Sequence, residues 1–361
     1  MNNNLDWWTG SGTRVNGPLV NIYGNANATW EKSKKLNLGV DMTLLESMDI
    51  TIDYFKEDRS GIFMQRSSVP STMGVTGMLP YANIGSVKNK GVDMSVAYSK
   101  VIGKDWVLRL NGSLTYAHNE ITEIDEPVNV EPYSSRIGHP INSIMGYVSD
   151  GLFTSQEEID RSPKQSFGNY TVGDIKYKDL NNDKVINEFD RTVIGGDKPY
   201  SYFGIDLGFK WRGLDFSMFW QGAYNRDLYL QDWTLLEGFQ ANGRYYGQAY
   251  ENMLGRWTPE IAESATFPRL TAGGNEYNRG NGWNSSFWLR SGNFIRLKDI
   301  SLGYNLPDSF CNNYLGGLRL KIFVNGQNLF TKSACDLVDP EVGFTSYPLQ
   351  RCISTGINIR F

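Results

Sequence analysis

The sequence has 361 residues, a formal net charge of −4 and a pI of about 5.4, without a long run of basic residues. This charge balance argues against a nucleic-acid partner. The chain lacks the roughly 18 consecutive apolar residues that a membrane helix requires, and its mean hydropathy is −0.40. These values exclude a helical membrane protein but not a membrane β-barrel, whose strands alternate apolar and polar residues.

The first residues, Met1 to Trp8, contain neither the basic region nor the apolar region of a signal peptide. An exported protein needs such a segment. We therefore expect either a cytoplasmic chain or a chain whose true N-terminus lies upstream.

Nine segments alternate apolar and polar residues, which predicts an all-β fold of about nine strands. They lie near residues 36–42, 50–54, 92–98, 106–116, 205–211, 214–220, 295–304, 318–324 and 351–361. A phase change at Lys298 and Asp299 predicts a β-bulge. The last segment has one apolar face and ends on Phe361, as outer-membrane barrels commonly do, although a soluble sandwich can end in the same way.

The links between these segments alternate strictly in length. Short links are predicted near 43–48, 102–105, 212–213 and 306–317, and long links at 58–89, 119–199, 225–293 and 332–350. An outer-membrane barrel places short turns in the periplasm and long loops outside the cell. The polar faces are rich in Asn, Ser, Thr, Gly and Asp, which suits a hydrated lumen. A soluble carbohydrate-binding β protein stays open as an alternative, and it would be soluble without detergent.

Several segments resemble landmarks of the SusC-like (SusC/RagA) TonB-dependent outer-membrane transporters of Bacteroidetes. The segment from Ile84 to Asp93 is similar to the family pattern N-x-G-x-V-x-N-K-G-[VF]-[ED]. The other landmark segments follow in the family's order: Ser143–Phe153, Gly173–Asn181, Asp190–Gly195 with Pro199, Phe294–Tyr304, and Asn325–Phe330 followed by Asp339–Glu341.

The resemblance implies the C-terminal portion of a large transmembrane β-barrel with long extracellular loops, located in the cell outer membrane. Such barrels have roughly 22 strands, so nine cannot close the circumference, and we expect the plug and the N-terminal strands to be absent here. Residues 1–27 are expected to be an extracellular loop or strand lead-in, and residues 28–361 the barrel part.

The same resemblance implies import of a nutrient, with an oligosaccharide as the first expectation and a peptide as the alternative. The implied partners are a SusD-like surface lipoprotein that closes over the mouth, TonB through the missing N-terminal region, and outer-membrane lipid. A siderophore or cobalamin ligand ranks third, because the landmarks match the nutrient branch better.

The segment from Asp179 to Asp190 reads like a calcium-binding loop of the EF-hand type. Its oxygen ligands would be Asp179, Asn181, Asp183, the Val185 carbonyl, Asn187 and Asp190. Lys184 replaces the glycine that usually makes the sharp turn, and Asp190 replaces the bidentate glutamate. We expect either a structural Ca²⁺ or, without metal, an Asx-rich turn.

Clustered aromatic residues in the long loops are candidate ligand contacts, because flat rings with polar tips suit sugars or peptide side chains. The candidates are Trp233, Phe239, Tyr245, Tyr246 and Tyr250. Loop packing and contact with a partner protein are the alternative interpretation. Trp257, within Trp-Thr-Pro-Glu, resembles a family segment and is expected to be structural.

Cys335 and Cys352 flank the last long loop, so a disulfide between them is one expectation in an oxidising compartment, and Cys311 is expected to stay free. The cysteines show no zinc-type spacing. Only His118 and His139 are present, and neither lies near a nucleophile or carboxylate at a catalytic spacing. The sequence therefore does not predict an enzyme.

Overall fold

The computed structural model describes residues 4–8, 14–18, 22–69, 71–74, 78–127, 130–230, 251–270, 284–343 and 347–361. The strands in chain order are β1 (Asn4–Trp8), β2 (Arg14–Pro18), β3 (Lys32–Leu44), β4 (Met48–Gln65), β5 (Tyr81–Ile102), β6 (Trp106–Glu123), β7 (Ser143–Tyr147), β8 (Ser149–Leu152), β9 (Lys164–Gln165), β10 (Ile175–Tyr177), β11 (Val185–Ile186), β12 (Arg191–Gly196), β13 (Ser201–Trp211), β14 (Leu214–Tyr224), β15 (Asp227–Tyr229), β16 (Leu289–Ser291), β17 (Phe294–Asn305), β18 (Arg319–Ser333) and β19 (Cys352–Arg360). The α-helices are α1 (Gln156–Arg161) and α2 (Asp308–Tyr314). Within these ranges, none of the helices is long and apolar enough to cross a membrane.

Nine strands form the main sheet, in the spatial order β3-β4-β5-β6-β13-β14-β17-β18-β19. Spatial neighbours follow one another along the chain apart from the small strands inserted in the long loops. The pairs from β6 to β19 are antiparallel. The predicted all-β, nine-stranded antiparallel arrangement is confirmed.

The two faces of the sheet differ in polarity because residue character alternates along each strand. On β19, Ile353 and Ile357 are 71% and 63% exposed, and Ile357 pairs with Ile322 of β18. Ile322 pairs in turn with Tyr304 of β17, so one face is apolar and uncovered across neighbouring strands. Such an uncovered apolar face is typical of contact with lipid.

The links confirm the predicted alternation of length. Within the main sheet the short turns are 45–47, 103–105, 212–213 and 306–318, and the long loops are 66–80, 124–200, 225–293 and 334–351. The turn at Arg212 and Gly213 has φ values of 43° and 88°, as a two-residue type I′ hairpin requires. The predicted bulge is also confirmed, because the register shifts between Leu297 and Asp299.

One predicted loop is much shorter than expected. The first long loop was expected over 58–89, but β4 continues to Gln65 and β5 begins at Tyr81. The rings of Phe63 and Tyr81 stack with centroids 5.4 Å apart across this extension. Cross-strand aromatic packing of this kind stabilises strand pairing beyond the point where the alternation is clear in the sequence.

The chain divides into two compact units. One contains 1–36, 56–89 and 119–141, and the other contains 37–55, 90–118 and 142–361. Strands β3 to β6 run through both units. In the first, β1 and β2 pair antiparallel within the predicted lead-in, whose boundary at residue 27 stays a prediction.

The buried core of the second unit lies in the long loops. It is formed by Tyr147, Ile175, Tyr177, Ile186, Leu228, Leu230, Phe267, Trp288 and Cys335. Small sheets build this layer: β7 pairs with β12, β8 with β10, β9 with β11, and β15 with β16. We call this set of loop segments with its own core the loop layer.

Candidate functional site

The predicted ligand-contacting aromatics Trp233, Phe239, Tyr245, Tyr246 and Tyr250 all lie in 231–250, outside the described residues. Their role therefore stays a prediction. Trp257 is described and lies in the loop layer, where the Cβ of any residue replacing Gly173 would be 2.6 Å from its ring. Trp257 thus packs directly on the backbone of a landmark segment, in agreement with its expected structural role.

The landmark segments of the loop layer pair with one another. Ser143–Phe153 supplies β7 and β8, while Gly173–Asn181 contains β10 and Asp190–Gly195 overlaps β12. Their pairings, β12 with β7 and β10 with β8, bring together stretches more than 20 residues apart in sequence. The segments that looked like separate motifs in the sequence are therefore neighbouring strands of one structure.

A buried ion pair holds two parts of the loop layer together. Asp174 is fully buried, and its carboxylate accepts hydrogen bonds from Nε and Nη2 of Arg269 at 2.8 and 3.2 Å. The Thr171 N–H donates to the same carboxylate at 2.9 Å. A buried carboxylate needs such partners, because an unpaired charge in an apolar environment is strongly unfavourable.

Burial also suppresses the ionisation of tyrosines in the loop layer. It raises the pKa of Tyr229 to about 12, although the Ser285 N–H donates to its hydroxyl oxygen at 3.0 Å. It raises the pKa of Tyr177 and Tyr147 as well. These phenols stay neutral at physiological pH, which suits residues of a core.

A second ionic network lies on the polar face of the main sheet. Arg296 of β17 is 2% exposed and donates to Oδ2 of Asp339 at 2.7 Å and to Oε2 of Glu341 at 2.6 Å. Lys298 donates to Glu341 at 2.9 Å, and Nε of Arg296 donates to Thr331. The network therefore ties the loop after β18 to the wall formed by β17 and β18.

Both halves of this network lie in landmark segments of the sequence, but their contact was not predicted. Arg296 and Lys298 lie within Phe294–Tyr304, and Asp339 and Glu341 lie in the Asp-Pro-Glu landmark. The opposite charges of the two segments were the only available indication. Their 43-residue separation gave no reason to pair them.

The predicted calcium loop is stabilised by hydrogen bonds from its own backbone. Asp179 accepts from the Lys184 N–H at 2.7 Å, Asn181 from the Asp183 N–H at 3.0 Å, and Asp183 from the Val185 N–H at 2.8 Å. Asn187 accepts from the Phe189 N–H, and the two oxygens of Asp190 accept from Leu180 and Asn187. This is the Asx-rich turn of the alternative interpretation.

The same loop retains features that fit a cation. Lys184 makes the sharp turn with φ of 68°, so the missing glycine does not prevent it. Oδ1 of Asp179 is buried without a hydrogen-bond partner, and each oxygen of Asp190 keeps a second lone pair. Within the described residues, no three His, Cys, Asp or Glu side chains converge on one point. Calcium occupancy stays a prediction.

The three cysteines, all in described segments, are free. The expected disulfide between Cys335 and Cys352 is therefore wrong for this structure. Cys335 is buried in the core of the loop layer, whereas Cys352 is exposed at the start of β19, paired with Gln327. Burial of one partner inside a core separates it from a thiol on the sheet surface. Cys311 is buried on α2.

The chain matches a family of known proteins over most of its length. Residues 2–329 match the family model of the TonB-dependent receptor-like β-barrel. The chain is 24% identical to TonB-dependent receptor P3 of Formosa agariphila over 96% of its own length and 36% of that protein. It is 23% identical to TonB-dependent receptor SusC of Bacteroides thetaiotaomicron, covering 93% of the chain and 32% of SusC.

Among solved structures, the RagAB peptide importer in its closed-closed state is similar in fold. The TM-score is 0.66 with 21% identity, and the match covers 99% of this chain and 38% of that one. The chain thus spans little more than a third of the length of these relatives. The matching family consists of receptors of the outer membrane, not of enzymes.

Proposed function

We propose a function for this chain, which belongs to the family of TonB-dependent receptor-like β-barrels and is of the SusC/RagA type. It therefore lies in the cell outer membrane. The uncovered apolar face of the main sheet, with Ile353 and Ile357 exposed, supplies the surface for outer-membrane lipid.

The chain serves as the C-terminal part of the barrel wall and surface loops of a TonB-dependent nutrient importer. The observation that supports this role most directly is the sorting of links, with the long loops after β6, β14 and β18 at one end of the antiparallel strands. Three of these loops share a compact core, which gives the outer end of the wall a defined surface for ligand and partner.

The proposed substrate class is oligosaccharides, and the proposed partners are a SusD-like surface lipoprotein and TonB. SusC of Bacteroides thetaiotaomicron is among the relatives, which supports the pairing with a SusD-like protein. Peptide import is the second candidate, because the solved structure with a similar fold is described as a peptide importer.

The test is purification of the complete receptor from native outer membranes in detergent, followed by mass spectrometry of the retained molecules. We expect a stoichiometric surface lipoprotein and a bound glycan. A bound peptide in place of the glycan would favour the second candidate. Recovery in the soluble fraction without a lipoprotein would contradict the importer and favour a soluble carbohydrate-binding protein.

A further inference from the structure

We propose that a groove on the polar face of the main sheet, between β6, β13 and β14, binds two neighbouring units of a neutral oligosaccharide. We call it the wall groove. The proposal rests on the proposed function, because it identifies a binding site and a ligand class on the inner wall of the importer.

The wall groove consists of two cavities of about 360 and 330 Å³ that share Arg226 in their linings. Each volume lies within the range of about 300–1,000 Å³ found for small-molecule sites. The first cavity lies on the strands, and the lining residues used below are Ser113, Thr115, Tyr202, Gly204, Phe219 and Gln221. The second cavity lies at the adjoining loop ends, and its lining includes Tyr200, Asn225, Ser291 and Asn293.

The register of the strands places these side chains on one face. Ser113 pairs with Gly204, and Gly204 pairs with Gln221, so the three form one row across β6, β13 and β14. Thr115 and Tyr202 form the next row. Because side chains alternate between faces, these rows share the polar face with the other polar residues of β13 and do not face lipid.

Gly204 forms the floor of the first cavity. A Cβ at this position would lie 3.2 Å from the ring of Phe219 and 3.2 Å from Oγ of Ser113. Phe219 and Ser113, which also line the cavity, therefore pack against the backbone at residue 204, and a larger side chain there would displace them. The same strand offers a matched position, Gly208, which is on the same face but outside both cavities.

Aromatic rings border the cavity. Tyr202 is 56% exposed beside the floor, and Phe219 and Phe294 line the same cavity. An exposed tyrosine presents a flat apolar ring with a polar tip, which suits the apolar face of a sugar ring. The rings therefore favour a ligand with flat apolar faces and hydroxyl groups at its edges.

The charged groups of the wall groove balance one another, and each makes a contact within the protein, while Nε of Arg226 is buried without a hydrogen-bond partner. Arg226 donates to the Pro340 carbonyl at 2.6 Å, Lys198 pairs with Asp197, and Asp227 accepts from the Gly196 N–H. Glu341 is held by the network around Arg296. Two cations and two anions leave no excess charge for an ionic ligand.

The remaining polar lining is neutral. Hydroxyl and amide groups come from Ser113, Thr115, Gln221, Asn225, Ser291 and Asn293. These groups can both donate and accept hydrogen bonds, as hydroxyl groups of a sugar require. A peptide would carry charged side chains and termini that this lining does not complement, so the neutral oligosaccharide is favoured.

The location of the wall groove suits a ligand that arrives from outside the cell. Tyr202 is the second residue of β13, Gln221 is close to the end of β14, and Phe294 begins β17. All three are at the long-loop ends of their strands. A molecule passing the loops therefore reaches this part of the wall first.

The test uses the complete receptor purified in detergent and saturation-transfer NMR with defined probes. The probes are maltoheptaose, cellohexaose, xylohexaose and mannohexaose, with a tryptic digest of casein as the peptide arm. The groove variants are Tyr202→Ala and Gly204→Leu. Their matched controls are Tyr224→Ala, 57% exposed on the opposite face, and Gly208→Leu.

We expect at least one of the neutral oligosaccharides to bind the wild type and both controls. Each groove variant should bind it about tenfold more weakly, because Tyr202→Ala removes an aromatic platform and Gly204→Leu displaces Phe219 and Ser113 from the cavity lining. Heat-modifiable migration in gel electrophoresis establishes that every variant is a folded barrel, so weaker binding cannot be assigned to misfolding.

Three outcomes would overturn the proposal: equal binding by groove variants and controls, binding of casein peptides alone, or binding of none of the probes by the wild type. Uptake by a strain lacking the receptor separates the two proposals. If that strain imports the bound sugar normally, the importer function fails while the wall groove stands. If import is lost but the groove variants bind and import normally, the groove fails while the importer stands.

Discussion

Gly91, in the landmark segment from Ile84 to Asp93, shows how a single missing side chain permits close strand packing. A Cβ at this position would lie 2.2 Å from the Tyr116 carbonyl oxygen and 2.4 Å from the ring of Phe55. Neither the backbone oxygen nor the packed ring can move away without displacing a strand. The glycine of the landmark is therefore explained by packing.

Substituting Gly91→Ala should lower the free energy of unfolding by about 1–3 kcal/mol, the usual effect of overpacking. Gly112→Ala is the control, because no atom lies within 4 Å of a Cβ placed there. Urea unfolding of the receptor in lipid vesicles, followed by tryptophan fluorescence, measures both. Equal midpoints for the two variants would contradict the explanation.

We also predict that the loop from Asp179 to Asp190 binds one Ca²⁺. Asp183→Asn removes one anionic ligand and should weaken binding at least about tenfold, since affinity follows ligand charge. Asp160→Asn, which changes a carboxylate on α1, should leave it unchanged. Calorimetric titration of the purified receptor with calcium chloride provides the measurement. No binding by the wild type at about 1 mM calcium would refute the prediction.

At the scale of elements, glycines opposite aromatic rings recur in the main sheet. Phe203 pairs with Gly222 and Phe323 pairs with Gly356, and in both pairs a Cβ on the glycine would lie within 2.5 Å of the ring. The ring covers the backbone of a residue that has no side chain of its own. This packing of a ring on a glycine stabilises one register between the neighbouring strands.

The ionic network around Arg296 fixes the last long loop to the wall. Arg296→Gln leaves the Asp339 carboxylate without its cation and should cost about 3–5 kcal/mol, as breaking a buried ion pair does. We expect faster amide exchange over 334–343. The control, Arg319→Gln, removes an exposed pair with Asp308 and should cost under about 1 kcal/mol. Unchanged exchange in the Arg296 variant would show that other contacts hold the loop.

The same network predicts a dependence on pH. Burial alone would raise the pKa of Asp339, but hydrogen bonds from the Glu341 N–H and from Arg296 lower it below its usual value. The unfolded state therefore binds a proton more readily than the folded state. The stabilisation is complete above the unfolded pKa of about 3.9 and is lost as pH falls through the lowered folded pKa.

Amide protection over 334–343, corrected for intrinsic exchange rates, should fall as the pH drops below about 4. In the Arg296→Gln variant, the amides of 334–343 should exchange without protection at neutral pH, and acid should change their exchange little. A wild-type loop that stays fully protected in strong acid would contradict this account.

For the whole molecule, the two ends of the main sheet differ in construction. Among the described residues from β6 onward, one end carries the short turns and the small helix α2, and the other carries the long loops with the loop layer. In the outer membrane, the long loops are expected outside the cell. An epitope inserted after the exposed Glu263 should bind antibody on intact cells, and one after Gly316 only in permeabilised cells. The reverse result would show that the long loops face the periplasm.

The nine strands of the main sheet, its apolar and polar faces and the alternation of loop lengths could all be predicted from the sequence. A strand between lipid and a wet lumen must alternate apolar and polar residues, so period two is visible wherever such a strand runs. For the same reason the bulge at Lys298 was predictable, because one extra residue changes the phase of the alternation.

Contacts between distant segments could not be predicted from the sequence and are visible in the folded chain alone. The buried pair of Asp174 and Arg269, the network of Arg296 with Asp339, and the floor at Gly204 depend on how loops fold back and how strands are registered. Cys335 illustrates the limit: its position at the neck of a loop suggested a disulfide, but burial in the loop layer kept it from Cys352. Local alternation reports the environment of one strand, whereas long-range contacts depend on the path of the chain between them.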